Sequence, residues 1–369
     1  MQVERVEQFH IQMPLKSHFE TSFSRVTALD KIIIAIYAEG LVGWGESPVD
    51  SDPYYSYETI ETCWHIQRDF LIPLLLKHNL SSAADLPARF ARVRGHPMAK
   101  AGLEAAIWDL EAQQAGVSVA TLLGGTRSAI ESGVSIGVQD SVGELLDRIA
   151  AYLTEGYRRI KIKIKPGWDV EIVRAVRERF PAVPLMVDAN SAYTLDDASM
   201  LRALDGYDLL MIEQPLAYDD IIEHAELQRQ LQTRLCLDES IYSVGRAREA
   251  LAMGSCQIIN IKPARVGGMT QALAIHDLCQ AAEVPVWCGG MLESGIGRAH
   301  NVAVASLPNF TLPGDISASD RYWHEDITEP PFVLNPDGTL TVPTGPGIGV
   351  AVQRDRLEKV TLRRATYPS

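Results

Sequence analysis

Five short apolar runs between positions 159 and 263 each end in a polar residue that can take part in chemistry. In single-letter code they read RIKIK, LMVDAN, LLMIEQP, LCLDES and IINIKP. Their reactive residues follow one another at intervals of 25, 25, 25 and 24 positions: Lys163, Asp188, Glu213, Asp238 and Lys262. An interval of this length holds one strand, one helix and two loops, so the pattern predicts a repeated βα unit.

Similar apolar runs extend this repeat on both sides, at 133–138 before the five and at 284–290 and 310–315 after them. Parallel strands joined by right-handed helical crossovers lie side by side in chain order. In a closed barrel of eight such strands, the carboxyl ends converge on one mouth, where active sites lie. We therefore predict an α/β fold, a modified (β/α)₈ TIM barrel with the five reactive residues gathered at its mouth.

The chain before position 126 has a different pattern. Apolar residues alternate with polar ones at 3–11, and apolar runs at 31–37 and 42–46 lie on either side of a Glu-Gly turn, which predicts antiparallel strands. Within 57–115 apolar residues recur at helical spacing. We expect residues 1–125 to form an α+β capping domain.

The remaining boundaries follow from the repeat. We expect the barrel to occupy residues 126–320, with helices between its strands at 168–180, 195–204, 221–231, 245–253 and 269–282. The segment 321–369 contains an Asn-Pro-Asp-Gly turn between two short apolar runs, which predicts a hairpin at 332–342. This segment does not fit the barrel repeat, so we expect it to return to the capping domain and complete it.

A stretch at about 13–27 interrupts the strand pattern and carries His18, Phe19 and Phe23 among polar residues. We interpret it as a substrate-specificity loop. Exposed aromatic side chains on a mobile loop are able to cover a pocket. The alternative, that they pack on the core of the capping domain, is equally compatible with the sequence.

Bulk composition limits the function classes. The 369 residues exceed the roughly 250 that a minimal barrel needs, and 46% are hydrophobic and 22% charged. A net charge of −13 without a Lys/Arg-rich segment argues against nucleic acid as a partner. We find no apolar span of about 20 residues and no signal peptide, so we expect no membrane association. Five cysteines without a CxxC pair indicate reduced thiols in a cytoplasmic protein.

Three carboxylates that converge on one mouth would repel one another unless a cation lies between them. Oxygen ligands without Cys or His favour a hard ion, and Mg²⁺ fits this set, with Mn²⁺ as a substitute. We predict Asp188, Glu213 and Asp238 as metal ligands, supported by Asn190 and Glu239. A metal in this position is able to bind a small-molecule carboxylate substrate.

The lysines come from strands two and six, which lie across the mouth of a closed barrel. We predict that Lys163 and Lys262 act as acid and base on opposite faces of the substrate. Lys161 points to the same side of its strand as Lys163, and its charge is expected to favour the neutral, basic form of Lys163.

Less specific interpretations exist for each residue. A single Asp at a strand end is most often a helix N-cap, and alternating lysines on a strand usually form a solvated edge. These explanations would have to hold for all five residues at the same regular spacing, which makes them weak when taken together. Two rival functions are a Schiff-base aldolase with Lys163 or Lys262 as the nucleophile, and a barrel that only binds a metal or a carboxylate.

The reactive residues fall into the short motifs KIK at 161–163, DAN at 188–190, EQP at 213–215, DES at 238–240 and Lys262. This set resembles the enolase superfamily, in its muconate-lactonizing subgroup. Sites of that superfamily use a Lys or His base together with Mg²⁺. Further segments at 159–163, 166–169, 262–268, 287–294 and 307–315 resemble the N-succinylamino acid racemase/o-succinylbenzoate synthase family.

The resemblance implies roles for several residues. Lys163 and Lys262 would be the two acid/base groups, and Arg265 would mark racemase activity. The implied reactions are racemisation of N-succinylamino acids and dehydration to o-succinylbenzoate in menaquinone biosynthesis. The resemblance also implies a homo-oligomer. By position, we expect the substrate pocket to be lined by Phe19, Phe23, Ser135, Met291, Leu292 and Trp323.

Two departures separate the chain from related enzymes. It has no Asp-x-Asp after the last strands, which dipeptide epimerases of the subgroup use, and no His after strand seven, which mandelate-racemase-like members use. Another reaction of the subgroup, such as dipeptide epimerisation or cycloisomerisation, remains the alternative within the family.

Overall fold

The computed structural model describes residues 1–20, 25–77 and 79–369. Within them the strands are, in chain order, β1 (Arg5–Glu20), β2 (Arg25–Ala38), β3 (Leu41–Ser47), β4 (Ala129–Glu131), β5 (Gly133–Ile136), β6 (Arg159–Lys163), β7 (Leu185–Asp188), β8 (Ile212–Glu213), β9 (Leu235–Leu237), β10 (Ile258–Ile261), β11 (Val286–Cys288), β12 (Thr328–Glu329), β13 (Thr339–Thr341), β14 (Ala351–Val352) and β15 (Thr361–Pro368).

The α-helices in the same residues are α1 (Ile60–Ile66), α2 (Ile72–Lys77), α3 (Leu86–Arg89), α4 (Pro97–Ala115), α5 (Val119–Leu123), α6 (Val142–Glu155), α7 (Val170–Arg179), α8 (Ala198–Ala203), α9 (Ile222–Gln228), α10 (Val244–Met253), α11 (Pro263–Val266), α12 (Met269–Ala281), α13 (Gly295–Ala305) and α14 (Arg354–Val360). A π-helical segment joins α1 to α2, and short 3₁₀ turns precede α3 and β12 and flank α8.

The barrel sheet contains seven parallel strands, β5 to β11, in strict chain order. The βα repeat predicted from the spacing is therefore confirmed. The helices predicted between the strands also form, within a few residues of the expected ends, as α7, α8, α9, α10 and α12.

The predicted eighth strand at 310–315 is wrong as a regular strand. The segment still joins the two edges of the sheet. One of its backbone N–H groups donates to the carbonyl of Cys288 in β11 (2.9 Å), and one of its carbonyls accepts from the N–H of Gly133 in β5 (2.8 Å). Pro313 has no N–H to donate, so the segment closes the barrel through isolated bridges instead of a ladder.

The capping domain is built on an antiparallel sheet in the order β15-β1-β2-β3. Helix α4 packs directly on β3, because two strand glycines leave room for the helix backbone. A Cβ on Gly43 would lie 2.1 Å from the carbonyl oxygen of Ala106, and one on Gly45 would lie 2.0 Å from that of Gly102. The core of this domain is continuous with that of the barrel.

The C-terminal segment returns to the capping domain, as predicted, but through a different element. Strand β15 pairs with β1 along most of its length. The predicted hairpin at 332–342 does not form. Its turn is present, with a hydrogen bond from the Asn335 N–H to the Thr339 carbonyl (2.8 Å), but β13 pairs antiparallel with β4 beside the barrel.

The prediction of a loop at 13–27 is largely wrong, because β1 and β2 extend into it as the two arms of a long hairpin. Phe19 pairs with Val26, and the register shifts between Pro14 and Phe19. The arms mix apolar and polar residues without a regular alternation, so no strand pattern marked them in the sequence. Residues 21–24, including Phe23, lie outside the described part of the chain.

Across the described ranges, no helix is both long and apolar enough to cross a membrane. All five cysteines are buried and free, as expected for reduced thiols.

Candidate active site

The five reactive residues lie at the carboxyl ends of five adjacent strands. Lys163, Asp188 and Glu213 are the last residues of β6, β7 and β8, while Asp238 and Lys262 directly follow β9 and β10. In the parallel register Lys163 pairs with Asp188, and Asp188 with Glu213. All five side chains are at least nine-tenths buried. The structure therefore brings them together at one edge of the barrel, as predicted.

Lys163 is held by two residues from the end of β7. Its Nζ donates to Asp188 Oδ2 and to Asn190 Oδ1, each at 2.6 Å. Asn190 in turn donates from Nδ2 to Glu239 Oε1 at 2.9 Å. The two residues predicted to support the metal site, Asn190 and Glu239, therefore form one chain of hydrogen bonds with Lys163.

Lys161 lies below Lys163 and contacts three carboxylates. Its Nζ is 2.5 Å from Asp315 Oδ2, 2.9 Å from Glu213 Oε2 and 3.2 Å from Asp188 Oδ2. Burial opposes the charge on Lys161, but these carboxylates outweigh it and raise the pKa of the ammonium group above its usual value. The charge of Lys161 is thus balanced by carboxylates inside the site.

Asp315 is a fourth carboxylate at this edge of the barrel. It accepts hydrogen bonds from Lys161 and from Ser135 Oγ (2.9 Å), and its other oxygen lies 2.6 Å from Arg159 Nη2. Burial alone would raise its pKa, but the charges of Arg159 and Lys161 lower it. Ser135, predicted to line the pocket, is therefore tied into this network.

Lys262 has one partner in the barrel and one in the capping domain. Its Nζ donates to Asp238 Oδ2 and to the phenol oxygen of Tyr55, each at 2.8 Å. Burial opposes its charge, whereas the oxygen atoms of Tyr55 and Glu239 raise its pKa. Tyr55 belongs to the segment between β3 and α1.

Arg265 lies behind Asp238 instead of on the cavity wall. Its Nη1 donates to Asp238 Oδ1, its Nε donates to the carbonyl of Ile241 at 2.8 Å, and its Nη2 donates to the carbonyl of Asn260 at 2.5 Å. It is 4% exposed. This placement does not support direct contact with a substrate, because the guanidinium group is already fully engaged within the protein.

A cavity of about 520 Å³ opens above the lysines between the two domains. Among the predicted pocket residues, Phe19, Ser135, Met291 and Leu292 line it. Trp323 does not: it is 2% exposed, and its Nε1 donates to the carbonyl of Glu293. Its neighbour Tyr322 lines the cavity in its place.

The carboxylates do not form a ready-made metal cage. Across the described residues, no three His, Cys, Asp or Glu side chains are close enough together to hold a metal ion. Asp188 and Asp238 accept hydrogen bonds from lysines instead, and Asp188 has a lowered pKa, because Lys163 and Lys161 overcome the effect of burial. Burial and the charge of Asp188 raise the pKa of Glu213.

The donor chemistry nevertheless fits a hard divalent cation. The three carboxylates are at most 1% exposed, and they offer only oxygen ligands. Nearby, Glu239 Oε2 is buried without a hydrogen-bond partner. A cation would have to take the place of the lysine partners that these carboxylates now hold.

Three residues of the site were not identified from the sequence. Asp315 carried a signal, because it ends the run expected as strand eight. Asn260, which donates to Glu213 Oε1 at 2.7 Å, carried another, because it lies two positions before Lys262 and so faces the same way. Tyr55 carried none, since it comes from the other domain.

Two family models match the chain. The N-terminal domain model of mandelate racemase / muconate lactonizing enzyme matches residues 4–124, and the enolase C-terminal domain-like model matches residues 144–356.

Individual relatives match over nearly the whole length. An o-succinylbenzoate synthase of Geobacillus kaustophilus is 54% identical over 97% of this chain and 96% of its own. An N-succinylamino acid racemase of Amycolatopsis is 51% identical over 98% of both chains. The crystal structure of an enolase-superfamily protein of Listeria innocua, 44% identical, superposes with a TM-score of 0.96 and covers 100% of this chain and 99% of that one.

Proposed function

Because this chain belongs to the mandelate racemase and muconate lactonizing enzyme family of the enolase superfamily, we propose that it abstracts the proton α to a substrate carboxylate to give an enediolate. We propose N-succinylamino acids, and the precursor that is dehydrated to o-succinylbenzoate, as its substrates. The observation that carries this proposal is the pair of lysine side chains, Lys163 and Lys262, at strand ends on either side of the carboxylate cluster.

In racemisation, the two lysines would exchange roles. One neutral amine removes the α-proton from its face of the substrate, and the ammonium group on the other face donates a proton to the same carbon. The opposite enantiomer then reacts in the reverse direction. This scheme needs bases on both faces, a requirement that simple binding of a carboxylate does not have.

In dehydration, only one lysine would transfer a proton from carbon. Lys163 removes the α-proton, the hydroxyl group on the neighbouring carbon leaves, and a double bond forms between the two carbons. The ammonium group of Lys262 stabilises negative charge from the opposite face. Both reactions begin with the same step, which explains how one site serves relatives that carry both names.

Members of the superfamily are metal-dependent, and we propose Mg²⁺, with Mn²⁺ as a substitute, held by Asp188, Glu213 and Asp238. When bound, it would supply positive charge beside the substrate carboxylate. Lys161, fixed by Asp315 and Glu213, would keep a second positive charge under the same carboxylate.

The acyl arm of the substrate is expected to lie toward the capping domain. There the cavity wall includes Phe19 of the β1–β2 hairpin and Met291 and Leu292 of the loop after β11. The same cavity is also lined by the charged residues Arg25, Asp30 and Asp52 of the capping domain, so both apolar and polar groups of a substrate find partners there. Arg265 would influence racemisation through Asp238 and the position of Lys262.

We also propose a cytoplasmic homo-oligomer. The five buried free thiols support a reducing compartment. Exposed apolar residues such as Ile222 (67% exposed) and Met253 (42%) support an interface between copies. Light scattering at micromolar concentration that gives a monomer mass would refute the oligomer.

The proposal is tested by two assays on the Mg²⁺-loaded protein. Polarimetry follows the loss of optical rotation of an N-succinyl-L-amino acid, and absorbance follows the formation of o-succinylbenzoate. We expect turnover in at least one assay, abolished by Lys163→Ala. A folded, metal-loaded protein with neither activity would move the assignment to another acid of the muconate-lactonizing subgroup.

A further inference from the structure

The two lysines are held in different ways. Both partners of Lys163, Asp188 and Asn190, come from the end of β7 and its loop, so its position depends on the barrel alone. Lys262 shares its hydrogen bonds between Asp238 of the barrel and Tyr55 of the capping domain. One face of the cavity is therefore assembled by two domains and the other by one.

Tyr55 contacts Lys262 with both its hydroxyl group and its ring. The phenol oxygen is 2.8 Å from Lys262 Nζ, and the ammonium nitrogen lies 4.4 Å from the ring centroid. The hydroxyl group also donates to Asp238 Oδ1 at 3.2 Å. Tyr55 lines the cavity, so the contact lies at the surface that a substrate would meet.

A hydroxyl group differs from a carboxylate in one respect that matters here. A phenol both donates and accepts hydrogen bonds, whereas an ionised carboxylate only accepts. Asp238 is able to hold an ammonium group but has no proton to offer to the lone pair of a neutral amine. Tyr55 is able to bond Lys262 in both forms, since its O–H can turn toward the amine.

We propose that Tyr55 is a positioning residue that keeps Lys262 directed into the cavity both before and after it transfers a proton. The capping domain would then control one of the two reaction faces and leave the Lys163 face to the barrel. This inference rests on the proposed two-lysine function. It predicts that loss of the hydroxyl group slows proton transfer at the Lys262 face more than at the Lys163 face.

The chain offers a matched control on the other face. Tyr55→Phe removes only the hydroxyl group beside Lys262. Asn190→Gly removes the amide beside Lys163, and Gly suits this position because Asn190 has φ +42°. Thermal melting of both variants confirms that they fold.

The first experiment measures α-proton exchange in D₂O, by NMR, for each enantiomer of an N-succinylamino acid with an apolar side chain. Lys163→Ala and Lys262→Ala identify which enantiomer reports on which lysine. Misplacing a reacting group by about 1 Å costs on the order of 100-fold in rate. We expect Tyr55→Phe to slow exchange at the Lys262 face by about 10- to 100-fold, and at the Lys163 face by less than about threefold.

Asn190→Gly should give the opposite preference. Equal losses at both faces in Tyr55→Phe, together with a higher Mg²⁺ requirement, would place the role of Tyr55 at Asp238 and overturn the inference. Unchanged exchange at both faces would also overturn it.

A second experiment needs neither substrate nor metal. Brief acetylation with acetic anhydride, read by peptide mass spectrometry, compares the labelling of Lys262 with that of Lys163. We expect the ratio to rise in Tyr55→Phe and to fall in Asn190→Gly, because each variant frees one amine from a partner. If the wild-type protein exchanges neither enantiomer, the proposed racemase activity fails, and an unchanged labelling ratio would independently refute the role of Tyr55.

Discussion

Lys163 and Asp188 are paired twice: their Cα atoms are partners in the parallel register of β6 and β7, and Lys163 Nζ donates to Asp188 Oδ2 at 2.6 Å. The backbone register alone therefore places a base beside a carboxylate. Because strand pairing fixes the geometry, the contact does not depend on a flexible loop.

This relationship leads to a prediction about Lys163. Replacing it by Ala should lower kcat by about 10²–10⁴-fold, the range typical of a lost acid/base group. Lys165→Ala is the matched control, because this lysine lies two positions further along the chain, beyond the end of β6. Steady-state kinetics with near-normal turnover in Lys163→Ala would refute the mechanism.

Metal removal should abolish activity. Dialysis against EDTA leaves the carboxylates with their protein partners alone, and Mg²⁺ or Mn²⁺ should restore the rate. Calorimetry of the metal-free protein checks binding separately from turnover. Full activity after verified metal removal would contradict the role proposed for Asp188, Glu213 and Asp238.

Asp315 should matter for stability as well as for activity. Asp315→Asn removes the charge that faces two buried cations, Lys161 and Arg159, and breaking a buried pair on one side costs about 3–5 kcal/mol. Urea unfolding should show a loss of this size in the free energy of unfolding. Asp320→Asn is the control: this exposed residue should change stability by less than about 0.5 kcal/mol. Equal stability of both variants would argue against the network.

Glu104 should make stability depend on pH. It lies between the domains, where its carboxyl group accepts hydrogen bonds from the backbone N–H groups of Met269 and Thr270 at the start of α12. Burial raises its pKa from 4.5 to about 7. A carboxyl group whose pKa is higher in the folded than in the unfolded protein stabilises the fold fully at a pH below its unfolded-state pKa. That stabilisation is lost as the pH rises through its folded-state pKa.

Glu104→Gln removes this titration, although it also loses one hydrogen bond at every pH. Relative to the variant, the wild-type protein should therefore lose about 2–3 kcal/mol of stability between about pH 5 and pH 8. Urea unfolding at several pH values measures the difference. The exposed Glu171→Gln is the control, and a pH-independent difference for Glu104→Gln would contradict the burial effect.

The regular part of the fold could be predicted from the sequence because it repeats. Five strand ends at one interval placed Lys163 through Lys262 at one mouth, and the structure has them there. Strand pairing that no pattern of apolar residues marks could not be predicted from the sequence. The arms of the β1–β2 hairpin lack a regular apolar alternation, and β13 pairs with β4 instead of forming its own hairpin.

The candidate site was predictable where its residues follow strands. Asp188 and Asp238 end apolar runs, and Asp315 ends the run at 310–315 in the same way. Tyr55 and the placement of Arg265 were not predictable in this way. The first depends on how the capping domain docks, and the second on which side of Asp238 the guanidinium group packs. Both are properties of tertiary packing.

The most direct measurement is exchange of the α-proton in D₂O for both enantiomers of an N-succinylamino acid, with Lys163→Ala and Lys262→Ala beside the wild-type protein. Two lysines on opposite faces predict a crossed result: each variant keeps exchange with one enantiomer and loses it with the other, while the wild-type protein exchanges both. Loss of exchange with the same enantiomer in both variants would contradict the assignment of one lysine to each face.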